Sequence, residues 1–315
     1  MGALRFAERA RPENAVPPCL HVPLRRLDGG DPETEIWRGK EPATAGQHGD
    51  IRYRHDDEIL FGVIVLPETA LLNEAGKTPL QQATESAYRQ VFSLLESLRF
   101  PSVFRFWNFI PAINAHSFGI ERYRQFNIGR QEAYQAHGCD VQANLPAACA
   151  LGLAQGRLSI AFLAGRTAAQ SIENPRQISA FQYPAQYGPC SPTFSRASLA
   201  RVGSDEVLFI SGTASIVGHV SVHPGDVVAQ TRETVSNIEA VLAEANRLSR
   251  GDFNLSDLHY RVYVRHPADW RLIQDELARC VGCAPKAVFL QADICRLELL
   301  LEIEATAGVR SGGCD

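Results

Sequence analysis

The sequence lacks the features that would tie it to a membrane or to nucleic acid. It has no run of about 20 apolar residues, the length that a membrane-spanning helix needs, because polar residues interrupt even its most apolar stretch, residues 147–165. It has no excess of positive charge, since its formal net charge is −4. We therefore expect no broad basic field for nucleic acid or an anionic membrane surface, and we expect a small molecule as the partner.

Signals for secretion and for cofactor binding are also absent. Five charged residues are spread over the first 16 positions, where a signal peptide would have its apolar core, so we expect a soluble, cytoplasmic protein. No GxGxxG follows a strand pattern and no GxxxxGK[ST] occurs. Eight cysteines are too sparse for a disulfide scaffold, and Cys280 and Cys283 lack the second ligand pair of a tetrahedral zinc site. We therefore expect reduced thiols, no metal and no cofactor.

Two long passages of the sequence repeat the same order of patterns. In each, an apolar strand pattern is followed by an amphipathic helix, a second strand, a second helix and a closing strand. In the first passage we expect these elements at 58–66, 81–98, 103–109, 120–136 and 158–163. In the second passage we expect them at 206–210, 228–248, 258–264, 267–280 and 297–303. The first helix of each passage places apolar residues three and four positions apart, which predicts one face laid on a sheet.

Identical residues recur at a constant separation within these passages. Four pairs lie 148 positions apart: Gln82 and Gln230, Glu85 and Glu233, Leu94 and Leu242, and Glu96 and Glu244. This spacing predicts an internal duplication and the fold class α+β, with two modules that each have a mixed sheet and helices packed on one face. The expected organisation is an irregular N-terminal arm, a first module, a long ordered connecting loop, a second module and a tail, at residues 1–50, 51–165, 166–201, 202–308 and 309–315.

The second passage resembles the YjgF-like reactive-intermediate deaminases, which are small trimeric proteins. The likeness rests on the segments Phe209–Gly212, Gly225–Gln230, Asn237–Leu242, Tyr263–Asp269 and Leu301–Ala305. That family relies on an arginine upstream of the glutamate that matches Glu302, where this sequence has Ala284–Ala287. The resemblance implies a fold of YjgF-like modules and argues against imine hydrolysis.

The sequence also resembles the chorismatases, over about residues 55–305. The motifs are Phe106–Ile110 with Asn114, Glu121–Arg124 with Gly129 and Arg130, Ser191–Arg196, Ile210–Ser215, Gly218 and His219 with His223, and Ala292–Arg296 with Glu298 and Glu302. Chorismatases resemble two YjgF-like modules fused in one chain. Gly212, together with Cys295 seven residues before Glu302, is similar to the branch that forms 3-hydroxybenzoate, which includes pigment-pathway enzymes that also form 4-hydroxybenzoate. The resemblance implies a lyase that releases pyruvate from chorismate without a cofactor.

Glu302 is the candidate catalytic acid. Cleaving an enol ether requires a proton on its terminal methylene carbon, and desolvation beside leucines would keep a carboxyl protonated near neutral pH. Alternation along the closing strand places Glu298, Glu302 and Glu304 on one side. Cys295 is the candidate for steering the rearrangement, and a bend or bulge is expected between it and Glu302 if both line one pocket. A salt-bridged structural glutamate and a buried core cysteine are the alternatives.

The two carboxylates of chorismate call for two cations. Arg130 and Arg196 are the leading candidates, because the arginine fork binds a carboxylate with two parallel hydrogen bonds and stays charged when desolvated. Arg122 and Arg124 are weaker candidates. Surface or interdomain ion pairs are the alternative role for each of these arginines.

Four further residues are candidates for substrate contacts. Tyr123 and Tyr183 could donate hydroxyl hydrogen bonds, although buried tyrosines often satisfy their hydroxyls within the core. Gly212 and Thr213 could present backbone amides to an oxyanion, although such a loop is equally a tight strand turn.

Other functions remain open at this point. A chorismate hydrolase would let water attack the same activated ether and would give a dihydroxycyclohexadiene carboxylate with pyruvate. An imine or enamine deaminase and a non-enzymatic metabolite-binding module are alternatives of other classes. Because fused modules can satisfy within one chain the interfaces that single modules make by trimerising, we expect a monomer.

Overall fold

Two six-stranded mixed sheets face each other across a shared apolar core, and each sheet carries two helices on its outer face. The computed structural model describes residues 1–8, 17–68, 71–72, 75–138 and 144–308. The expected tail, 309–315, lies outside these described residues, as do Cys139 and Cys314. The six cysteines within them are free thiols.

The N-terminal segment, which the sequence predicts to be irregular, instead forms a small sheet of three strands: β1 Gly2–Phe6, β2 Cys19–Val22 and β3 Glu33–Trp37. β1 lies in the middle, parallel to β2 and antiparallel to β3. The buried side chains of Leu4, Phe6, Leu20 and Val22 join the core between the large sheets. Each strand has at most five residues, too few for an alternation to stand out among the surrounding prolines, glycines and charges.

The first module begins within the segment predicted as the arm. Its elements are β4 Thr44–His48, β5 Ile51–His55, β6 Ile59–Leu66, α1 Pro79–Leu98, β7 Ser102–Pro111, β8 His116–Ser117, β9 Ile120–Glu121, α2 Arg122–Ala136, β10 Ala147–Leu153 and β11 Leu158–Gly165. Its sheet has the strand order β10-β7-β11-β6-β5-β4, and β8 and β9 form a separate hairpin.

The second module repeats this arrangement. Its elements are β12 Gln170–Ile172, β13 Ala197–Val202, β14 Asp205–Thr213, β15 Ile216–Val217, β16 Val220–Ser221, α3 Val227–Asn246, β17 His259–Val264, α4 Trp270–Val281, β18 Lys286–Gln291 and β19 Leu301–Ala307. Its sheet, read as β18-β17-β19-β14-β13-β12, has the same order of equivalent strands as the first. Helices α1 and α3 both have 20 residues and begin 148 positions apart. The predicted α+β class with two modules is confirmed.

Capping residues explain where the two long helices begin. Thr78 accepts a hydrogen bond from the backbone N–H of Gln81 at the start of α1, and Asp226 accepts one from Ala229 at 2.9 Å at the start of α3. Helix α3 ends at Asn246, so Leu248, the last residue of the helix expected at 228–248, lies beyond the helix and is 45% exposed. No helix among the described residues is long and apolar enough to cross a bilayer.

Two segments near the site differ from the sequence expectation. The connecting segment contains β12 and two single-turn 3-10 helices, and β13 begins inside it. Strand β19 begins at Leu301 and not at position 297, because residues 293–300 form a bend. From Leu301 onward the predicted alternation is observed: the odd-numbered residues pack toward the helices, and Glu302 and Glu304 face the space between the sheets.

Candidate active site

A cavity of about 400 Å³ lies where the two modules and the connecting segment meet. Its walls come from the start of α2, the connecting segment, the end of β14 and the bend before β19. This volume is typical of pockets that hold small molecules, roughly 300–1,000 Å³. Six of the eight predicted site residues line it: Tyr123, Tyr183, Arg196, Gly212, Cys295 and Glu302.

Glu302 contributes a carboxyl that is only 4% exposed. Within the described part of the chain, this carboxyl has no ion-pair or hydrogen-bond partner. Burial raises the pKa of Glu302 to about 8; the neighbouring Glu304 carboxylate adds to this effect and Arg105 opposes it. At pH 7 the side chain is therefore mostly a neutral acid, which is the state that a proton donor needs.

Because Gly212 has no side chain, it leaves room for the Glu302 carboxyl. The pairing of β14 with β19 is irregular between Ile210 and Thr213, which brings Gly212 against the acid. A Cβ atom at position 212 would lie 1.9 Å from Oε1 of Glu302. The glycine is thus required by a close approach of side chain to backbone.

Cys295 reaches the same cavity through the bend that precedes β19. The Arg265 guanidinium holds this bend by donating hydrogen bonds of 2.8–3.0 Å to the carbonyl oxygens of Ile294, Arg296 and Leu299. This is the interruption of the strand that the sequence requires for both side chains to share a pocket. Burial raises the pKa of the Cys295 thiol to about 12, with the Glu302 carboxyl contributing, so the thiol is protonated at neutral pH.

Arg196 is a buried cation without a carboxylate ion-pair partner among the described residues. It is 5% exposed and donates hydrogen bonds to the carbonyl oxygen of Ile178 at 2.7 Å and to the hydroxyl of Tyr183 at 2.9 Å, while its Nε has no hydrogen-bond partner in the described part of the chain. The nearby Glu173 interacts electrostatically with Arg196 without forming an ion pair, and it accepts hydrogen bonds from the Ser179 side chain and the Arg196 backbone N–H; burial outweighs these contacts and raises the pKa of that carboxyl. Since buried charges are normally paired, Arg196 is suited to a ligand carboxylate.

Arg296 supplies a second guanidinium to the cavity and is missing from the sequence-based candidates. It lies over the rings of Tyr187 and Tyr183, 4.0 and 5.3 Å from their centroids. It donates hydrogen bonds to the carbonyl oxygen of His219 and to Oγ of Ser221, and it forms no ion pair with any described residue. The signal in the sequence was its position directly after Cys295 in the motif Ala292–Arg296.

The other candidate cations are placed differently. Arg130 is buried on α2 near the Tyr123 hydroxyl, over the ring of Phe126, and does not line the cavity. Arg122 is paired with Glu68 at 2.5 Å. Arg124 lines the cavity but is partly exposed and lies 3.4 Å from a carboxylate oxygen of Glu121.

Thr213 also lies outside the cavity lining. Its hydroxyl donates a hydrogen bond of 2.8 Å to the carbonyl oxygen of Ser211. Among the described residues, no group of three or more His, Cys, Asp or Glu side chains is arranged to hold a metal ion.

Comparisons with known proteins agree with one another. The family model described as chorismatase FkbO/Hyg5-like, N-terminal, matches residues 35–164. A protein named chorismatase from Streptomyces rapamycinicus is 37% identical over 279 residues, covering 86% of this chain and 80% of that protein. A 3-hydroxybenzoate synthase from Streptomyces hygroscopicus is 37% identical over 285 residues, covering 87% and 81%. A chorismatase crystal structure matches with a TM-score of 0.89 at 32% identity, covering 98% of this chain and 92% of that one.

Proposed function

The chain belongs to the chorismatase family, and from this premise we propose that it converts chorismate into 3-hydroxybenzoate and pyruvate in the cavity between its modules. One observation carries the proposal: a neutral acid, Glu302, shares a cavity with two cations, Arg196 and Arg296, that have no ion-pair partner among the described residues. A substrate with two carboxylates and an acid-labile enol ether complements this set of groups.

The two arginines bind the carboxylates of the substrate. Arg196 offers an unpartnered Nε in a desolvated wall, where a charge-assisted hydrogen bond is stronger than in water. Arg296 is held in place by its stacking on Tyr187 and its hydrogen bonds to the β15–β16 hairpin, so it is ordered before the substrate binds. Arg130 interacts electrostatically with Tyr123, whose side chain lines the cavity.

Glu302 begins the reaction by protonating the terminal methylene carbon of the enolpyruvyl group. This makes the carbon that bears the ether oxygen oxocarbenium-like. The bond between the ether oxygen and the ring then breaks, its electron pair moves to the oxygen, and pyruvate leaves as a ketone. An acid with a pKa near 8 is mostly protonated at pH 7, and its carboxylate is basic enough to take a proton back.

The neighbouring ring hydroxyl attacks the ring carbon as pyruvate leaves, and its proton returns to the Glu302 carboxylate. The resulting epoxide opens and the ring loses a hydrogen to become aromatic. Opening at one carbon gives 3-hydroxybenzoate and at the other 4-hydroxybenzoate, and the Cys295 thiol beside the acid steers this choice. All atoms of chorismate are recovered in the two products, so the reaction needs no oxidant, reductant or added water.

Purified protein incubated with chorismate, with pyruvate detected by lactate dehydrogenase and NADH, tests this function. We expect pyruvate release by the unmodified protein and a loss of kcat of about 100-fold or more in Glu302→Gln. Glu239→Gln, the same change at an exposed position of α3, should keep normal turnover. Chorismate binding without pyruvate release would instead support a metabolite-binding protein, and near-normal turnover of Glu302→Gln would remove the proposed acid.

Mass spectrometry of the ring product separates rearrangement from hydrolysis. A hydrolase would give a dihydroxycyclohexadiene carboxylate, which keeps one more water than a hydroxybenzoate. We expect Cys295→Ala to shift the ratio of ring products while pyruvate release continues. An unchanged ratio would show that the thiol has no part in the rearrangement.

A further inference from the structure

A second buried carboxylate lies two residues from the proposed acid on the same face of β19. Glu304 is 4% exposed and is not part of the cavity lining. It pairs with Arg105 of β7 and Arg261 of β17, and it accepts a hydrogen bond of 2.9 Å from the Tyr263 hydroxyl. Burial opposes the ionisation of Glu304, but the two guanidiniums outweigh burial and lower the pKa of this carboxyl. Glu304 is therefore a carboxylate, in contrast to its neighbour.

Arg105 is the cation that lies close to both carboxyls. It is buried, donates a hydrogen bond of 2.9 Å to the carbonyl oxygen of Ile210 and is paired with Glu304, not with Glu302. It is near enough to Glu302 to favour the ionised form of that side chain. A cation within about 4–6 Å commonly lowers a carboxyl pKa by roughly 1–3 units. If Arg105 were not already paired, it would favour loss of the proton from the acid.

We propose that Glu304 is a positioning residue for the acid step: it holds Arg105 in an ion pair, its own negative charge disfavours ionisation of the neighbouring carboxyl, and both effects leave Glu302 protonated. This inference rests on the proposed function of Glu302 as the proton donor. Glu304 lies outside the cavity lining and acts on the reaction through Glu302, by its own charge and by its pairing with Arg105.

The equivalent strands of the two sheets bring two arginines, Arg105 and Arg261, to the single carboxylate of Glu304. Strands β7 and β17 hold the same position in the two sheets. In the second sheet the register pairs Arg261 with Glu304, whereas in the first it pairs Arg105 with the apolar Leu163. Glu35 of β3 also pairs with Arg261. Two guanidiniums and two carboxylates, of which Glu35 is only partly buried, thus form a group of zero net charge that does not require the proposed acid.

Several titratable and charged groups face this pair of carboxyls: Glu35 of β3, Arg105 of β7, Tyr123 of α2, Cys149 of β10, Arg261 and Tyr263 of β17, and Cys295 of the bend. Burial raises the pKa of both tyrosines and both thiols, so these four groups are neutral near pH 8. A fall in activity as the pH rises through this range can therefore be assigned to the ionisation of Glu302.

The test is the pH dependence of kcat, which falls as pH rises through the pKa of the acid in the substrate complex. Glu304→Gln removes a negative charge beside Glu302 and frees Arg105 to interact with it. The alkaline limb of the kcat–pH profile should therefore move to lower pH by about one unit or more, while kcat at the acid end is retained. Glu304→Asp keeps the charge and should keep the limb. The double variant Glu304→Gln/Arg105→Gln removes both charges and should return the limb to within about half a unit of the unmodified protein.

An unmoved limb in Glu304→Gln, or an equal loss of kcat at every pH, would overturn the proposal. If Glu304→Gln does not fold, the other two variants decide. An alkaline limb that moves to lower pH by about a unit or more in Glu304→Asp or in the double variant would overturn the proposal. The proposed function fails by a different result, namely normal turnover in Glu302→Gln. When Glu302→Gln is inactive and the Glu304→Gln limb does not move, only the role of Glu304 is wrong.

Discussion

A buried carboxyl whose pKa is raised to about 8 destabilises the fold that holds it. In the unfolded chain, Glu302 returns to its ordinary pKa near 4.5. Between pH 4.5 and pH 8 the unfolded state has released a proton that the folded state still binds, so stability falls as the pH rises through this window. Each unit of difference between the two pKa values corresponds to about 1.4 kcal/mol. The property that suits Glu302 to proton donation therefore works against folding at neutral pH.

Replacing Glu302 by Gln should remove this pH-dependent loss of stability. We expect the Tm of Glu302→Gln to exceed that of the unmodified protein above pH 8 by several degrees, and the two values to converge near pH 4.5, where both side chains are neutral in the folded protein. Circular dichroism melts across this range make the measurement. Glu298→Gln changes an exposed carboxyl in the bend that precedes β19 and should show no such trend. A Tm difference that is the same at both ends of the range would contradict the linkage.

Gly212→Ala tests the close packing around the acid. The added Cβ would lie 1.9 Å from Oε1 of Glu302 and 3.2 Å from Cβ of Cys149, so the carboxyl must turn away from its position in the cavity. We expect kcat to fall by about tenfold or more, because small displacements of a reacting group are costly, while the fold is kept. Steady-state kinetics and a crystal structure of the variant provide the check. Unchanged turnover with Glu302 in its original place would show that the site has more room than the glycine indicates.

At the scale of elements, strong periodicity accounts for what the sequence predicts well. The apolar spacing places α1 and α3 to within two residues at each end, because each helix lays a long apolar stripe on a sheet and begins at a capping residue. Strands β6 and β17 are predicted to within one residue, because their apolar runs are bounded clearly. The constant separation of 148 residues also predicts that the two halves share one architecture.

The parts that the sequence predicts poorly depend on contacts distant in the chain. Strands β1–β3 are too short to show a pattern and gain their stability from the core between the large sheets. The late start of β19 depends on Arg265, which directly follows the neighbouring strand β17 and donates hydrogen bonds to the bend. Arg296 and Arg130 are both arginines within motifs, and only the folded chain shows which of them lines the cavity. Local pattern carries no information about these distant partners.

At the scale of the whole molecule, the core between the sheets belongs to neither module alone. It combines Leu4 and Phe6 of the N-terminal sheet with Phe109 of the first sheet and with Phe209 and Tyr263 of the second. Polar contacts cross the same space, including the ion pair between Arg105 and Glu304 and the hydrogen bond of 2.9 Å from the Ala148 backbone N–H to Oγ of Ser211. Neither sheet can expose this face without losing a large apolar surface to water. The modules are therefore expected to unfold together.

Tryptophan fluorescence can test this cooperativity, because the three tryptophans report different places. Trp107 lies in the shared core beside Trp37, and Trp270 packs against Phe289 on the outer face of the second sheet. We expect Trp37→Phe/Trp270→Phe, which reports the shared core, to lose its signal at the same urea concentration at which its own circular dichroism is lost. Trp37→Phe/Trp107→Phe, which reports the second module, should show the same coincidence, since a two-state transition gives one midpoint for every probe. If the urea midpoint reported by Trp270 were clearly above the one reported by Trp107, the second module would keep its fold after the two sheets separate.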